Sequence, residues 1–220
     1  MNPATQIPPS EAHGVALTER VIASVGADPH RRILDYSEWA GPWLTGEPEP
    51  LPAGAPAWAV FPSGRPLPPS LRRWLAFDTG LLRRFGWLDE HDAFVPRPLG
   101  ELARDEFGDM WGSCFDGVSE RFDECFLLPG GSDSRRVLVT SSGDDHGEYP
   151  VVALDVDDIP CVELMYPGLD VYLAHTAGIV TARGEGYSCL ARDRVYSRRM
   201  ITHAQHLFSG EFAEECFPDL

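Results

Sequence analysis

The sequence predicts an α+β protein: an antiparallel β-meander of about four or more strands, packed with helices from the N- and C-terminal parts. Three observations predict it. Four short runs rich in apolar and β-branched residues follow one another at 125–128, 136–140, 151–155 and 162–165. Only turn residues separate them, with Pro129-Gly130-Gly131, then Gly143 to Gly147, then Asp157-Asp158-Ile159-Pro160 between the runs. Gaps that short leave no room for the crossover helix that parallel strands need. Helical patterns precede and follow this block and do not alternate with it, which separates α+β from α/β.

Taken in order, Ser10 is placed to cap a helix from Glu11 to about Val25, with Val15, Val21, Ile22 and Val25 near one face and Gly26 ending it. Asp28-Pro29 is an N-cap and first-turn pair for a second helix through Ile33, Leu34 and Trp39. Nine prolines then fall between Gly41 and Pro69. They remove amide donors and fix φ, so this stretch is expected to wrap over the core as a loop with no more than a brief strand at 58–61. Ser70 opens an amphipathic helix carrying Leu71, Trp74, Leu75 and Phe77, broken at Gly80. Leu99–Phe107 reads as helical, and 109–125 as a further helix or an irregular insert. After the meander, 168–177 reads as a short helix with Leu169, Tyr172 and Leu173 on one face, and 192–208 as a last, Arg-rich helix.

Composition narrows the function. With 220 residues, 43% hydrophobic and 10% aromatic, the chain is long and apolar enough to bury a core. Its 18 basic and 34 acidic side chains give a net charge of −16. That balance argues against direct binding to nucleic acid or anionic lipid, which both require clustered cations, and favours a basic protein partner. Every basic residue is Arg, a skew best attributed to codon bias. The five cysteines, at 114, 125, 161, 189 and 216, form no CxxC pair, so small buried thiols of a reduced compartment are expected. No basic n-region with an apolar core opens the chain, and no apolar run reaches the length of a membrane span. A cytoplasmic location is the expectation.

Three pieces of the chain resemble the SUKH superfamily, the Smi/Knr-like proteins, many of which are immunity proteins of bacterial polymorphic toxin systems. Leu67-Pro68-Pro69-Ser70-Leu71-Arg72-Arg73-Trp74-Leu75-Ala76-Phe77-Asp78-Thr79-Gly80 is similar to that family's LP-to-NG helix. The strands flanking Gly143-Asp144-Asp145-His146-Gly147-Glu148 are similar to its hairpin with a Gly/Asp-rich turn. Gly168-Leu169-Asp170-Val171-Tyr172-Leu173 is similar to its closing helix. The likeness rests on order and spacing over about residues 67–180, roughly half the chain. Asp78-Thr79-Gly80 stands where Asn-Gly is usual, and Val171 and Tyr172 where Phe is common. On this division, 1–66 is a helical and proline-rich extension, 67–180 the SUKH-like core and 181–220 a helical extension, together forming one unit.

Charge is segregated along the chain. No Arg falls between Arg136 and Arg183, while eight acids do: Asp144, Asp145, Glu148, Asp155, Asp157, Asp158, Glu163 and Asp170. One reading is a negative face that binds a basic toxin domain. The other is a solvated sheet face with Asp residues in ordinary Asx turns. Both stand at this point.

Catalytic and metal signatures are weak throughout. The 143–148 run lacks the twelve-residue calcium-loop frame, and Asp155-Val156-Asp157-Asp158 lacks companion ligands for a two-metal centre. His203 and His206 stand at i and i+3, not the i and i+4 of zincins with their intervening Glu. Gly112-Ser113-Cys114 is no nucleophile elbow, and a chain without Lys has no P-loop lysine. The Trp and Phe residues at 39, 43, 58, 61, 74, 77, 85 and 87 are expected to pack the helices and proline loop onto the core, exposed ones being potential interface anchors.

The resulting expectation is a non-enzymatic immunity protein, without cofactor or metal. It would bind its cognate toxin domain, a basic nuclease by preference, through the eight acids. Two alternatives remain: a SUKH-like regulatory or scaffold protein with an endogenous partner, and a hydrolase with a divergent metal site.

Overall fold

A computed structural model describes residues 7–33, 41–55, 59–130, 134–157 and 159–217. The expected meander is present, with five strands among the described residues. Strands β1 (Cys125–Leu128), β2 (Ser134–Val139), β3 (Val151–Asp155), β4 (Cys161–Tyr166) and β5 (Ala213–Glu215) form one antiparallel sheet in that order. The fold is therefore α+β with a β-meander. β5 escaped the sequence reading because three residues of Ala-Glu-Glu carry no strand preference; it forms by pairing with β4, after the last helix has crossed back.

Both faces of the sheet are covered. Arg135 and Arg136 are neighbours on β2 and so point to opposite sides. Arg135 Nε donates to Glu106 at 2.5 Å and its guanidinium lies over Phe107. Arg136 lies over Tyr187 in a 3-10 helix, Tyr187–Arg192. On the Arg136 side, Phe126 stacks among Phe61, Trp87 and Phe94, which fastens the proline-rich loop to the sheet.

The N-terminal helix α1 (Gly14–Ala27) buries Leu17, Val21 and Val25 against helices α2 (Pro69–Leu75) and α7 (Leu169–Thr176). The expected boundaries shift here. Ser10 does not cap α1, Val15 is exposed, and the helix runs through Gly26 to Ala27. No second helix starts at Asp28-Pro29. Residues 28–33 turn instead, with Ile33 N donating to Gly41 O at 3.0 Å and Trp43 N to Arg31 O at 3.2 Å; Leu34 and Trp39 lie outside the described residues, as does Trp58. The proline stretch wraps over the core as expected, with Trp43, Leu44, Phe61 and Leu67 buried. At 60–66 a single bridge between Val60 and Pro66 takes the place of a strand.

α2 stops at Leu75, before the expected break, and Gly80 begins α3 (Gly80–Arg84), capped by the Asp78 carboxylate on Leu81 N at 3.1 Å. α4 (Leu99–Phe107) has its expected limits. The 109–125 stretch holds two one-turn helices, α5 (Asp109–Gly112) and α6 (Asp116–Ser119), joined by a 3-10 turn. The last helix, α8 (Ser197–Phe208), starts five residues later than expected because 187–192 forms the separate 3-10 helix. One hydrophobic core runs from Leu17 to Cys216. Among the described residues no helix is long and apolar enough to cross a membrane.

Candidate functional site

The eight acids singled out by the sequence separate into two groups with different work. Three of them, Asp144, Glu148 and Asp170, lie inside the protein, around the guanidinium of Arg199. Asp170, in the first turn of α7, accepts from Arg199 Nη1 at 2.9 Å through Oδ2 and from Nη2 at 3.1 Å through Oδ1, a two-pronged pair. Asp144 Oδ2 accepts from Arg199 Nε, and Pro167 O accepts from Nη2 at 3.1 Å. His203, one turn further along α8, points Nε2 at Pro167 O at 3.0 Å, with Asp144 Oδ2 at 3.6 Å. A carbonyl only accepts, so the proton sits on Nε2.

The remaining oxygens close helix ends. Asp170 Oδ2 accepts from Gly14 N at 2.6 Å and so caps α1 from 156 residues away. That replaces the local cap expected of Ser10. Glu148 does the same for α2: Oε1 accepts from Ser70 N at 2.9 Å, and Ser70 Oγ is bonded to Oε2. Asp144 Oδ1 accepts from His146 N at 2.8 Å and Glu148 N at 3.1 Å, an Asx turn that shapes the β2–β3 loop. Gly147 sits in that loop at φ +73°, with its N donating to Asp144 O at 2.9 Å. The cluster thus ties α1, α2, α7, α8 and the β2–β3 loop at one point.

Electrostatics follow from this packing. Burial pushes the Asp144 carboxyl up, but His203 and Arg199 beside it outweigh burial and hold it well below the usual carboxylate range. Glu148 is pushed up to about 8, first by burial and then by the neighbouring Asp170 charge. Burial lowers the basicity of Arg199, and its two carboxylates more than restore it. Removing these three acids from the expected binding face is a correction with a clear cause: their oxygens are taken up by Arg199 and by helix amides. Sequence reading assigned no part in a binding or buried polar site to Arg199, Ser70 or His203. The available signal was the α8 stripe, since Arg199 and His203 fall on the face of Met200, Ala204 and Phe208. His206, by contrast, is exposed, so the two histidines do not converge.

The second group is nearer the surface: Asp145 and Asp157 are exposed, while Asp155 and Glu163 are half-buried on the sheet face that the Tyr187–Arg192 3-10 helix packs against. Asp145 is exposed and pairs with Arg198 Nη2 at 2.7 Å, a solvated pair of small energetic weight. Asp155 ends β3 and accepts from Asp157 N at 3.0 Å; Asp157 itself is exposed. Glu163 is half-buried and accepts from Ser188 N at 2.8 Å. Asp158 lies outside the described residues. Register brings in an acid the sequence reading did not include: Asp155 pairs with Cys161 and Cys161 with Glu215, so Asp155 and Glu215 share one row and one face. Burial raises the Cys161 thiol to about 11, and the charges of Asp155, Glu163 and Glu215 add to that push. The structure brings together Asp155, Asp157, Glu163 and Glu215 at the β3–β5 end of the sheet; Asp145 stands apart on the β2–β3 loop.

All five cysteines are free. Among the described residues no group of three or more His, Cys, Asp or Glu side chains is arranged to hold a metal ion.

No family model and no curated protein matches the chain. It is similar in structure to an uncharacterized protein from Salmonella enterica subsp. enterica serovar typhimurium str. 14028s, known from a crystal structure. The match has a TM-score of 0.50 and 16% identity, over 90% of this chain and 94% of that one. At that identity the likeness concerns the fold alone.

Proposed function

We propose that this chain is a SUKH-type immunity protein, which binds a basic bacterial toxin domain stoichiometrically in the cytoplasm and blocks it by occupancy. The observation that carries the reading is the gathering of Asp155, Asp157, Glu163 and Glu215 on one end of the sheet, in a chain of net charge −16. The negative potential there steers a basic partner and selects against acidic ones. A nuclease fits best, because carboxylates can stand where substrate phosphates would lie. The meander and its flanking helices are the architecture that the sequence resemblance implies, which adds support. Binding by the face does not draw on the Arg199 cluster, whose role is to hold the elements in place.

The test is co-expression. The C-terminal domain encoded by the gene immediately upstream is produced in a bacterium with and without this protein. Rescue of growth, together with a 1:1 complex that weakens severalfold on raising salt from about 0.05 to 0.5 M, is the expected outcome. Toxicity without rescue, or no complex between the purified proteins, overturns the reading.

A further inference from the structure

At the acidic end of the sheet two large apolar side chains stand in solvent. Phe217 is 62% exposed and Ile159 49%. They come from separate parts of the chain, and backbone pairing brings them to neighbouring positions. Cys161 pairs with Glu215, and Cys216 N donates to Pro160 O at 2.6 Å, which carries the pairing one residue past β4. The next positions outward are Ile159 and Phe217. Continued two residues, the β4–β5 register sets Ile159 opposite Phe217, next to the Cys161–Glu215 pair that shares a row with Asp155.

We infer that Ile159 and Phe217 are the apolar anchors of a protein-docking surface rimmed by Asp155, Asp157 and Glu215, and that the occupant is a basic protein surface with an apolar pocket. The inference rests on the proposed function and gives it a location. Charge complementarity selects the occupant: Asp155 and Glu215 share one row on either side of Cys161, so the rim is acidic. Anionic lipid and nucleic acid are repelled by that rim. Exposed apolar pairs inside a charged rim have the anatomy of an interface centre, where a buried aromatic carries a large share of affinity and the surrounding charges set rate and register. β5 is an edge strand of three residues, so affinity here comes from side chains more than from strand addition.

The experiment measures affinity of the upstream-encoded C-terminal domain for the purified full chain and for Phe217→Ala, Ile159→Ala, Glu215→Gln and Val60→Ala. Val60 is 52% exposed, in the proline-rich loop packed toward the β1 edge, and serves as control. Phe217→Ala is expected to weaken binding about thirtyfold, Ile159→Ala about tenfold, and Glu215→Gln severalfold, chiefly in the association rate. Val60→Ala stays at the unsubstituted value. Unchanged thermal melts in all four variants separate lost contact from lost folding. Tight binding by the unsubstituted chain with Phe217→Ala and Ile159→Ala unaffected overturns this docking surface and leaves the immunity reading intact. No binding by the unsubstituted chain overturns both.

Discussion

Gly168 has φ 176°, extended backbone that any residue adopts, so its requirement for glycine is steric. A Cβ there would collide with Asp170 Oδ1 and lie 2.6 Å from Arg199 Nη2 and 2.7 Å from Glu148 Cβ. Gly168→Ala is therefore expected to lower stability by about 1–3 kcal/mol, read as a fall in the urea midpoint. Gly26, in the last turn of α1 with open space around it, is the counter-case: Gly26→Ala should hold or raise stability by up to about 1 kcal/mol. Equal effects at both positions would show that the cluster is not tightly packed. Glu148 makes a second residue-scale prediction. Its folded pKa, about 8, stands above the unfolded value near 4.5, so the folded chain binds more protons between those limits. The contribution of Glu148 is fully present below about pH 4.5 and is lost as pH rises through about 8. Glu148→Gln keeps an acceptor for Ser70 N and cannot ionise. The stability difference between the Glu148→Gln variant and the unsubstituted chain should move in favour of the variant from pH 5 to pH 9. Other titrating groups, such as His13, whose pKa burial lowers, enter both chains alike and drop out of the difference. A flat difference would mean that Glu148 is ionised across the range.

At the scale of elements, α1 and α2 begin without a side-chain cap of their own. Their first amides are completed by Asp170 and Glu148, delivered by α7 and the β2–β3 loop. Four orphan amides at a helix start are a local deficit that a distant carboxylate can fill only after the tertiary structure has formed. Asp170→Ala removes the α1 cap and leaves Arg199 with Asp144 alone; a cost of about 3–5 kcal/mol is expected, as for breaking a buried pair on one side. Hydrogen exchange should show the amides at the start of α1 losing protection before those of β2 and β3. If α1 keeps its protection in that variant, the Asp170–Gly14 bond contributes nothing to the helix. The same dependence explains the N-terminal misreading. Ser10 has the right chemistry for a cap, but α1 starts at Gly14, where the Asp170 carboxylate reaches it.

For the whole molecule, the −16 charge is not one uniform face. Three of the eight central acids point inward, Asp145 stands apart on the β2–β3 loop, and Asp155, Asp157 and Glu163 gather with Glu215 from the far end of the chain. The hairpins themselves were legible because β-branched runs and Gly/Asp turns are local patterns, and the bounds of α4 followed from its local periodicity in the same way. The order of β1 to β4 also follows locally, since short turns force consecutive strands to pair. Which acids face solvent was not legible. Asp144 and Asp145 are adjacent and chemically alike, yet one is held by Arg199 and the other pairs at the surface with Arg198.

The sequence by itself determined the fold class, strands β1 to β4, the net charge of −16, and the wrapping of the proline-rich loop. Each is a property of composition or of residues within about a dozen positions of one another. Tertiary structure alone decided that Asp144, Glu148 and Asp170 are interior, that β5 exists, and that Ile159 and Phe217 both stand just past the β4–β5 pairing. Those outcomes depend on pairs 55, 78 and 156 residues apart in the cluster and on the return of the chain past α8. An Asp side chain carries the same charge and hydrogen-bonding groups in a turn, a helix cap or an ion pair, and only the partner brought to it by folding selects among them.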